Sequence, residues 1–481
     1  MPPTNPLREV LILIRPDQKA QDDHTIGRHL DADELMRRTR AARPDGDIVR
    51  SFAARHQLTV VRANLRQRTM ILAGRATALS AAFRGRKVPR DLQDVVVGIF
   101  GFDTAPAAKR PRHKKFPPDE SPVPPPVNAN TRPPKDFRQL YQLPRNATGK
   151  GECIGVLEFG GGFSPAKLRE YLKIQGIRNT NLVVRSVAGA KNRPLKPTGM
   201  LTPDAEVYMD LQILAGLAPD AKLVVYFAEN SSRGWIEALH AAIFDRKHRP
   251  SVLSISWGQA EQDWNPHTIL AIEDILKMAA AMGITVCCPS GDRGVFESGR
   301  AYTIPYPGSS QHVLSCGGTA LEVLSSKRQR ESVWNESRTA GVASGGGFSR
   351  LFDLPEFQRS SGVPGKGRGI PDVAANAAAA TGYLICFDGI TTSLGGTSAS
   401  TPLWAALIAC LNQALGRRVG YLTPLLYQRK RVLRSIVHGN NKLDGRQGYT
   451  ARKGWDACTG LGSPHGVKLL ALLRGRSGPA T

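Results

Sequence analysis

Apolar and polar positions divide the chain into two patterned stretches with an unpatterned one between them. Residues 8–104 open on the apolar run VLILIRP (10–16), which reads as a buried strand. A helical pattern follows from Asp31 to Ala42, with Asp31 or Asp33 placed to cap it, and a second covers Asp47–His56. Two β-type runs, Leu58–Ala63 and Thr69–Ala73, flank Asn64–Arg68 at hairpin-like spacing, and a helix over Arg75–Phe83 closes the series. This order predicts a ferredoxin-like α+β unit.

Residues 105–135 lose the pattern. They are nearly all proline, charge and small polar residues, so they cannot bury apolar surface. They predict an extended linker, a domain boundary and a place where a protease cuts. From about 150, strands alternate with longer helical runs. Strand Cys153–Phe159 precedes helix Pro165–Gln175, and helix Pro203–Gly216 precedes strand Lys222–Phe227. Helix Trp235–Phe244 precedes strand Val252–Trp257, and helix Thr268–Met282 precedes strand Ile284–Pro289. The alternation predicts an α/β domain, a doubly wound parallel sheet whose active site lies beyond the carboxyl ends of its strands.

Composition narrows the function classes. With 481 residues, 41% hydrophobic and 22% charged, the chain is long enough for two to four domains and is not a mostly disordered one. Its net charge of +25 raises nucleic acid as a partner. That charge splits into +13 over residues 1–150 and +12 over 151–481, however, and no basic segment carries interleaved aromatics. The densest run, Lys109–Lys115, lies between prolines and reads as solvated linker, so no nucleic-acid partner is expected. Seven cysteines without a CxxC predict neither a disulfide framework nor a zinc site. No apolar run reaches membrane-spanning length, and residues 10–14, preceded by Glu9, are too short for a signal core.

Three places carry candidate chemistry. Gly395-Gly396-Thr397-Ser398 leads into the apolar run LWAALIACLNQAL, which puts Ser398 at the start of a buried helix, where free N–H groups favour developing negative charge. The same residues also suit a plain helix cap. A serine nucleophile needs a base, yet none of the ten histidines is followed by Gly-Thr or Gly-Ser, and His438-Gly and His465-Gly come after the serine. Glu206 and Asp210 stand four residues apart on one face of a helix capped by Thr202, among apolar neighbours. A half-exposed acidic face fits them equally well. Asp292, in Ser290-Gly291-Asp292, follows an apolar strand and reads either as a site residue or as a simple turn.

Together with Ser254-Ile255-Ser256-Trp257-Gly258, Cys316-Gly317-Gly318-Thr319, Ser344-Gly345-Gly346-Gly347, Gly369–Ala374 and Gly454–Gly460, these motifs resemble in order and spacing the sedolisins, the serine-carboxyl peptidases, and most nearly the kumamolisin-like members. The resemblance implies a subtilisin-like catalytic domain over 136–476, a pro-domain over 1–104, a linker over 105–135 that holds the maturation cut, and a tail over 477–481. It implies Ser398 as nucleophile, Glu206 as general base, Asp210 as its support, and a protonated Asp292 as oxyanion donor beside the Ser398 N–H. Ser254, Trp257, Gly258, Ser344, Gly345 and Gly346 would form backbone edges for an extended polypeptide substrate. The expected protein is a monomeric, self-processing, acid-active endopeptidase of an extracellular or other acidic compartment, with its own pro-domain as inhibitor and folding aid. The alternatives are an inactive relative used for binding and a histidine-dependent subtilisin.

Two departures from the family pattern are visible. After Ala81-Ala82-Phe83 the chain reaches Val88-Pro89 almost at once, where relatives carry an extra strand or hairpin, so the pro-domain sheet is expected to be a strand short. The family's Ca²⁺ site would map to Asp456, with Gly454 and Ile436 as carbonyl positions. Its second acid is replaced by Ser435 and a usual glycine by Arg452, so a weakened calcium site is expected.

Overall fold

The computed structural model describes residues 5–475 apart from 18–28, 85–86, 103–105, 108–126, 128–129, 178–180, 196–202, 326–327, 388, 430–431, 444 and 446. Thr202, most of the linker and the tail lie outside the described residues.

The N-terminal unit comprises β1 (Leu7–Ile14), α1 (Ala32–Thr39), α2 (Arg43–Arg55), β2 (Thr59–Asn64), β3 (Thr69–Arg75), α3 (Ala76–Ala82) and β4 (Val96–Phe100). Asp31 caps α1 by accepting the Glu34 N–H at 2.7 Å. The sheet order β2-β3-β1-β4 is antiparallel throughout, as in a ferredoxin-like unit. The described residues between Phe83 and Val88 form no strand, and the sheet nevertheless holds four. Val96–Phe100 pairs with β1 from Leu11↔Phe100 to Ile14↔Val96 and completes the four strands. Its short VVGIF run, after a turn-rich segment, gave too little period to be read as a strand.

The larger unit begins with α4 (Phe137–Leu140), β5 (Cys153–Glu158), α5 (Pro165–Ile174), β6 (Asn181–Ser186) and α6 (Pro203–Leu217). It continues through β7 (Lys222–Phe227), α7 (Ser232–Ile243), β8 (Val252–Ile255), β9 (Gln259–Ala260), α8 (Pro266–Ala281), β10 (Thr285–Pro289) and β11 (Pro305–Tyr306). Next come β12 (Leu314–Ser325), β13 (Arg328–Val333), β14 (Asn335–Glu336), β15 (Val342–Ala343), β16 (Gly347–Asp353), α9 (Glu356–Arg359), β17 (Gly367–Ile370) and β18 (Val373–Asn376). The hairpin β19 (Tyr383–Phe387) and β20 (Ile390–Leu394) leads into α10 (Thr397–Leu415), followed by α11 (Thr423–Gln428) and α12 (Gly466–Arg474).

The main sheet runs β13-β12-β10-β8-β5-β7-β6, with β18 also paired to β12, and only the β12–β13 pair is antiparallel. Its central strands are apolar on both faces because helices cover both: all six residues of β5 are buried. Helices α6 and α10 pack under one face and are buried all round, which is why neither sequence shows an amphipathic stripe. Helices α7 and α8 cover the other face. The seven cysteines are free, six of them buried. Among the described residues no helix is long and apolar enough to cross a membrane.

The two units meet along the outer side of α7 and α8. Arg62 pairs with Glu237 at 2.5 Å, Arg233 with Glu9 at 2.8 Å, Arg68 with Asp274, and Arg246 with Asp33. Leu30 N–H donates to the Ala281 carbonyl at 2.9 Å.

Candidate active site

The chemistry-bearing side chains gather beyond the carboxyl ends of β5, β8 and β10, where a parallel sheet leaves backbone and helix termini open to one crevice. Glu158 ends β5, Ser256 follows β8, and Asp292 lies three residues after β10. Helix α6 brings Glu206 and Asp210 to them from one side, and the start of α10 brings Ser398.

Gly396, the N-cap of α10, has φ +101°, and a Cβ there would stand 3.0 Å from Asp292 Oδ2. Only glycine permits both the turn and the approach of Asp292. Asp292 Oδ1 accepts from the Thr397 N–H and from Thr397 Oγ1, each at 2.7 Å. One carboxyl oxygen is thereby fixed by the residue preceding Ser398. Ser398 is 2% exposed and its Oγ donates to the Ser256 carbonyl at 3.4 Å.

Ser256 links this serine to the carboxyls. Its hydroxyl lies 2.9 and 2.8 Å from the two oxygens of Asp210 and 3.3 Å from the Ser398 carbonyl. Asp210 is fully buried, and burial, then the charges of Glu158 and Glu206, hold its pKa well above the ordinary carboxylate range. Glu158, fully buried too, accepts the Trp257 indole N–H at 2.9 Å, and burial raises it well above its usual value despite that bond. Three carboxyls of like charge share one dry site, so protons are retained and the group accommodates little negative charge at once. Beside Asp292, burial and the Asp292 charge raise Glu297 to about 7.

The structure thus brings Glu206, Asp210, Asp292 and Ser398 to one crevice, and it adds two residues that the sequence reading passed over. Ser256 sat unremarked inside a motif valued for its backbone. Glu158 looked like the polar end of an apolar strand; its one signal was a carboxylate in a run otherwise buried throughout.

The expected substrate-edge residues behave unevenly. Ser254 lies inside β8, fully buried, and Trp257 is 4% exposed with its indole committed to Glu158. Gly258 packs on the Tyr306 carbonyl. Ser344, Gly345 and Gly346 are buried: Ser344 Oγ donates to the Cys458 carbonyl at 2.7 Å, and the amides of Gly345 and Gly346 donate to Gly291 and Gly294. A Cβ on Gly345 would come 2.1 Å from the Ser290 carbonyl. This glycine run therefore braces the loop that carries Asp292. By contrast Ala107, at the start of the linker, is tied to this unit: its N–H donates to the Asn230 carbonyl at 3.1 Å, and its carbonyl accepts from Gln259 Nε2 at 2.7 Å.

The calcium positions do not fit the ion. Asp456 Oδ1 accepts from the amides of Cys458 and Thr459 at 2.9 and 2.8 Å, and Oδ2 accepts from the Arg452 amide at 3.2 Å. Arg452 Nε donates to the Trp455 carbonyl at 3.1 Å, which directs a cation into the same loop. Ser435 is exposed and brings no carboxylate, and Ile436 and Gly454 add carbonyls alone. Calcium needs six to eight oxygens with several carboxylate charges. Among the described residues of this set Asp456 is the one acid, and both of its oxygens already accept hydrogen bonds.

Comparison with known proteins gives the family. A model of the subtilase family matches residues 186–450. Kumamolisin from Bacillus sp. (strain MN-32) is 39% identical, covering 92% of this chain and 86% of that protein. Sedolisin from Pseudomonas sp. (strain 101) is 31% identical, covering 81% and 69%. A solved structure of Pseudomonas sedolisin, a serine-carboxyl proteinase complexed with pseudo-iodotyrostatin, superposes with a TM-score of 0.66 at 29% identity over 73% of this chain and all of that one. With a family model over more than half its length and two such relatives spanned for most of theirs, the chain belongs to the subtilase family and, within it, to the sedolisins, the serine-carboxyl peptidases.

Proposed function

We propose that the protein is a self-processing acid endopeptidase that works through Ser398, Glu206 and Asp210, with Asp292 as an oxyanion donor. The observation that carries this reading is the Ser398–Ser256–Asp210 chain of contacts, which couples a helix-start serine to a cluster of buried carboxyls.

In this mechanism Glu206 takes the Ser398 hydroxyl proton as Oγ attacks the scissile carbonyl. Asp210, protonated by its burial, supports Glu206 and disfavours a second negative charge. The oxyanion receives hydrogen bonds from the Ser398 N–H and from Asp292, whose Oδ1 is held by Thr397 while Oδ2 carries the proton. Glu206 then returns its proton to the leaving amine, and water hydrolyses the acyl-enzyme by the same steps in reverse. A glutamate base must be ionised and a carboxylic donor protonated, and both hold together only in acid. Asp292→Ala is expected to lower kcat about 10²–10³-fold, as loss of one oxyanion donor does elsewhere; kcat on a chromogenic peptide checks this.

The N-terminal unit acts as a removable pro-domain and the 105–135 linker holds the cut. The hydrogen bonds of Ala107 with Asn230 and Gln259 support this, because they tie the start of the linker to the larger unit. The test is to shift wild type and Ser398→Ala to about pH 4, below the ordinary histidine range, and follow the linker on a gel together with digestion of a denatured protein. The wild type should lose its N-terminal unit and digest the substrate, and the variant should do neither. An intact, inert wild type would sink the reading.

We further propose that the C-terminal loop is held without calcium. EDTA is expected to leave both Tm and activity unchanged. A fall in Tm of several degrees that added Ca²⁺ restores would overturn this.

A further inference from the structure

Helix α7 presents Arg233, Glu237 and His240 at successive turns of one face, and all three meet the N-terminal unit or its arginines. The first two form ion pairs across the seam. His240 does not. It is 5% exposed, its ring lies 5.9 Å from the Phe244 ring, and among the described residues its Nε2 has no hydrogen-bond partner. A buried polar atom without a partner is rare and asks for a reason.

Its surroundings suggest one. The cations that bear on His240 are Arg62, from β2, and Arg68, from the β2–β3 turn, both in the N-terminal unit. Arg68 is 1% exposed and is held by Asp274 on α8, while Arg62 is held by Glu237, one turn earlier on α7. The carboxylates near the histidine are therefore already engaged by arginines. An imidazolium formed here would be buried near two guanidinium groups and, among the described residues, without an acceptor at Nε2.

We propose that His240 is a proton switch on the seam, whose protonation loosens the N-terminal unit from the α7–α8 face when the protein enters acid. This rests on the reading of that unit as a removable pro-domain. With the seam closed, burial first, then Arg68 and Arg62, lower the His240 pKa from 6.5 to about 3. With the seam open the ring returns towards its ordinary value. The closed state thus has full strength above about pH 6.5 and loses it as pH falls towards 3. At pH 5 the closed–open equilibrium shifts by roughly 30-fold on this histidine alone. His29, in the N-terminal unit, acts in the same direction: its ring lies against Gly283 and Gly420, and burial with Arg418 and Arg417 lowers its pKa. It is partly exposed, so its share is smaller.

The test uses the full chain carrying Ser398→Ala, which cannot process itself, with and without His240→Gln. Hydrogen exchange of peptides over 59–75 and 232–243, corrected for its intrinsic pH dependence, reads the opening. The parent should open about 30-fold more at pH 5 than at neutral pH from this source, and His240→Gln should abolish that increment while matching the parent at neutral pH. Equal opening in both chains at pH 5 overturns the proposal. Imidazole NMR of the parent needs no substitution at 240: His240 should stay neutral until the seam opens, and titration near 6.5 with the seam closed overturns the proposal equally. Failure of the pro-domain reading looks different, since wild-type chain would then keep its linker uncut at every pH.

Discussion

Ser398→Ala is expected to lower kcat on a peptide substrate by about 10⁴–10⁶-fold, leaving the residual rate that binding and the oxyanion donors sustain alone. Alanine removes the attacking Oγ and little else. The backbone carbonyl of residue 398 still accepts from Ser256, and the Thr397 contacts to Asp292 do not involve the lost atom. The fold and Tm should therefore be nearly unchanged. Glu206→Gln should cost a similar factor, because a glutamine accepts no proton. The double variant should be no worse than either single one, since residues that act as one unit are strongly non-additive. Measured kcat values for the three chains check all of this. Multiplying losses in the double variant would show that Ser398 and Glu206 act in separate steps and would refute the shared proton transfer.

The residues at this site differ in how far the sequence could disclose them. Ser398 was legible because Gly395-Gly396 and an apolar helix leave few reasons for a serine there, and the structure supplies the reason: φ +101° at Gly396 and the close approach of Asp292. Glu206 and Asp210 were legible as a pair by helical spacing, whereas their burial was not, since α6 is buried all round and offers no polar face to contrast with. Glu158 and Ser256 were hidden because their role depends on strands separated by about a hundred residues coming side by side in the sheet. The Ser344–Gly346 run has a structural part that the sequence did not disclose. Consecutive glycines suggest an open backbone edge, but here they permit a close approach to the Ser290–Gly294 loop. Sequence alone cannot say whether missing side chains make room for a ligand or for the protein's own backbone.

The buried carboxyls also make a prediction for the whole molecule: thermal stability should be greatest in acid and fall as pH rises. Burial holds Glu158 and Asp210 well above the ordinary carboxylate range in the folded protein, and raises Glu273 and Glu297 to about 7. In the unfolded chain the same groups release their protons near 4. Above that value the folded state binds more protons than the unfolded one, so every rise in pH favours unfolding, until each group's folded pKa is passed. Each fully buried carboxyl removes on the order of 1 kcal/mol per pH unit over that window. His240 and His312, lowered to about 3 and about 4, work the other way below 6.5, as do the less buried His29 and His465, but the raised carboxyls, which also include Glu261 and Asp456, outnumber them. Calorimetry of the full Ser398→Ala chain, which cannot digest itself, should therefore show Tm falling between about pH 5 and pH 7, the window those shifts define. Glu158→Gln combined with Asp210→Asn should flatten that fall, because neither replacement titrates. A Tm that is level or rising over this range would mean that the carboxyls ionise freely, and the retained protons on which the acid mechanism depends would be absent. Asp210 belongs to both accounts, as the support of Glu206 and as a retained proton, so substituting it is expected to change the acid dependence of catalysis and of stability together.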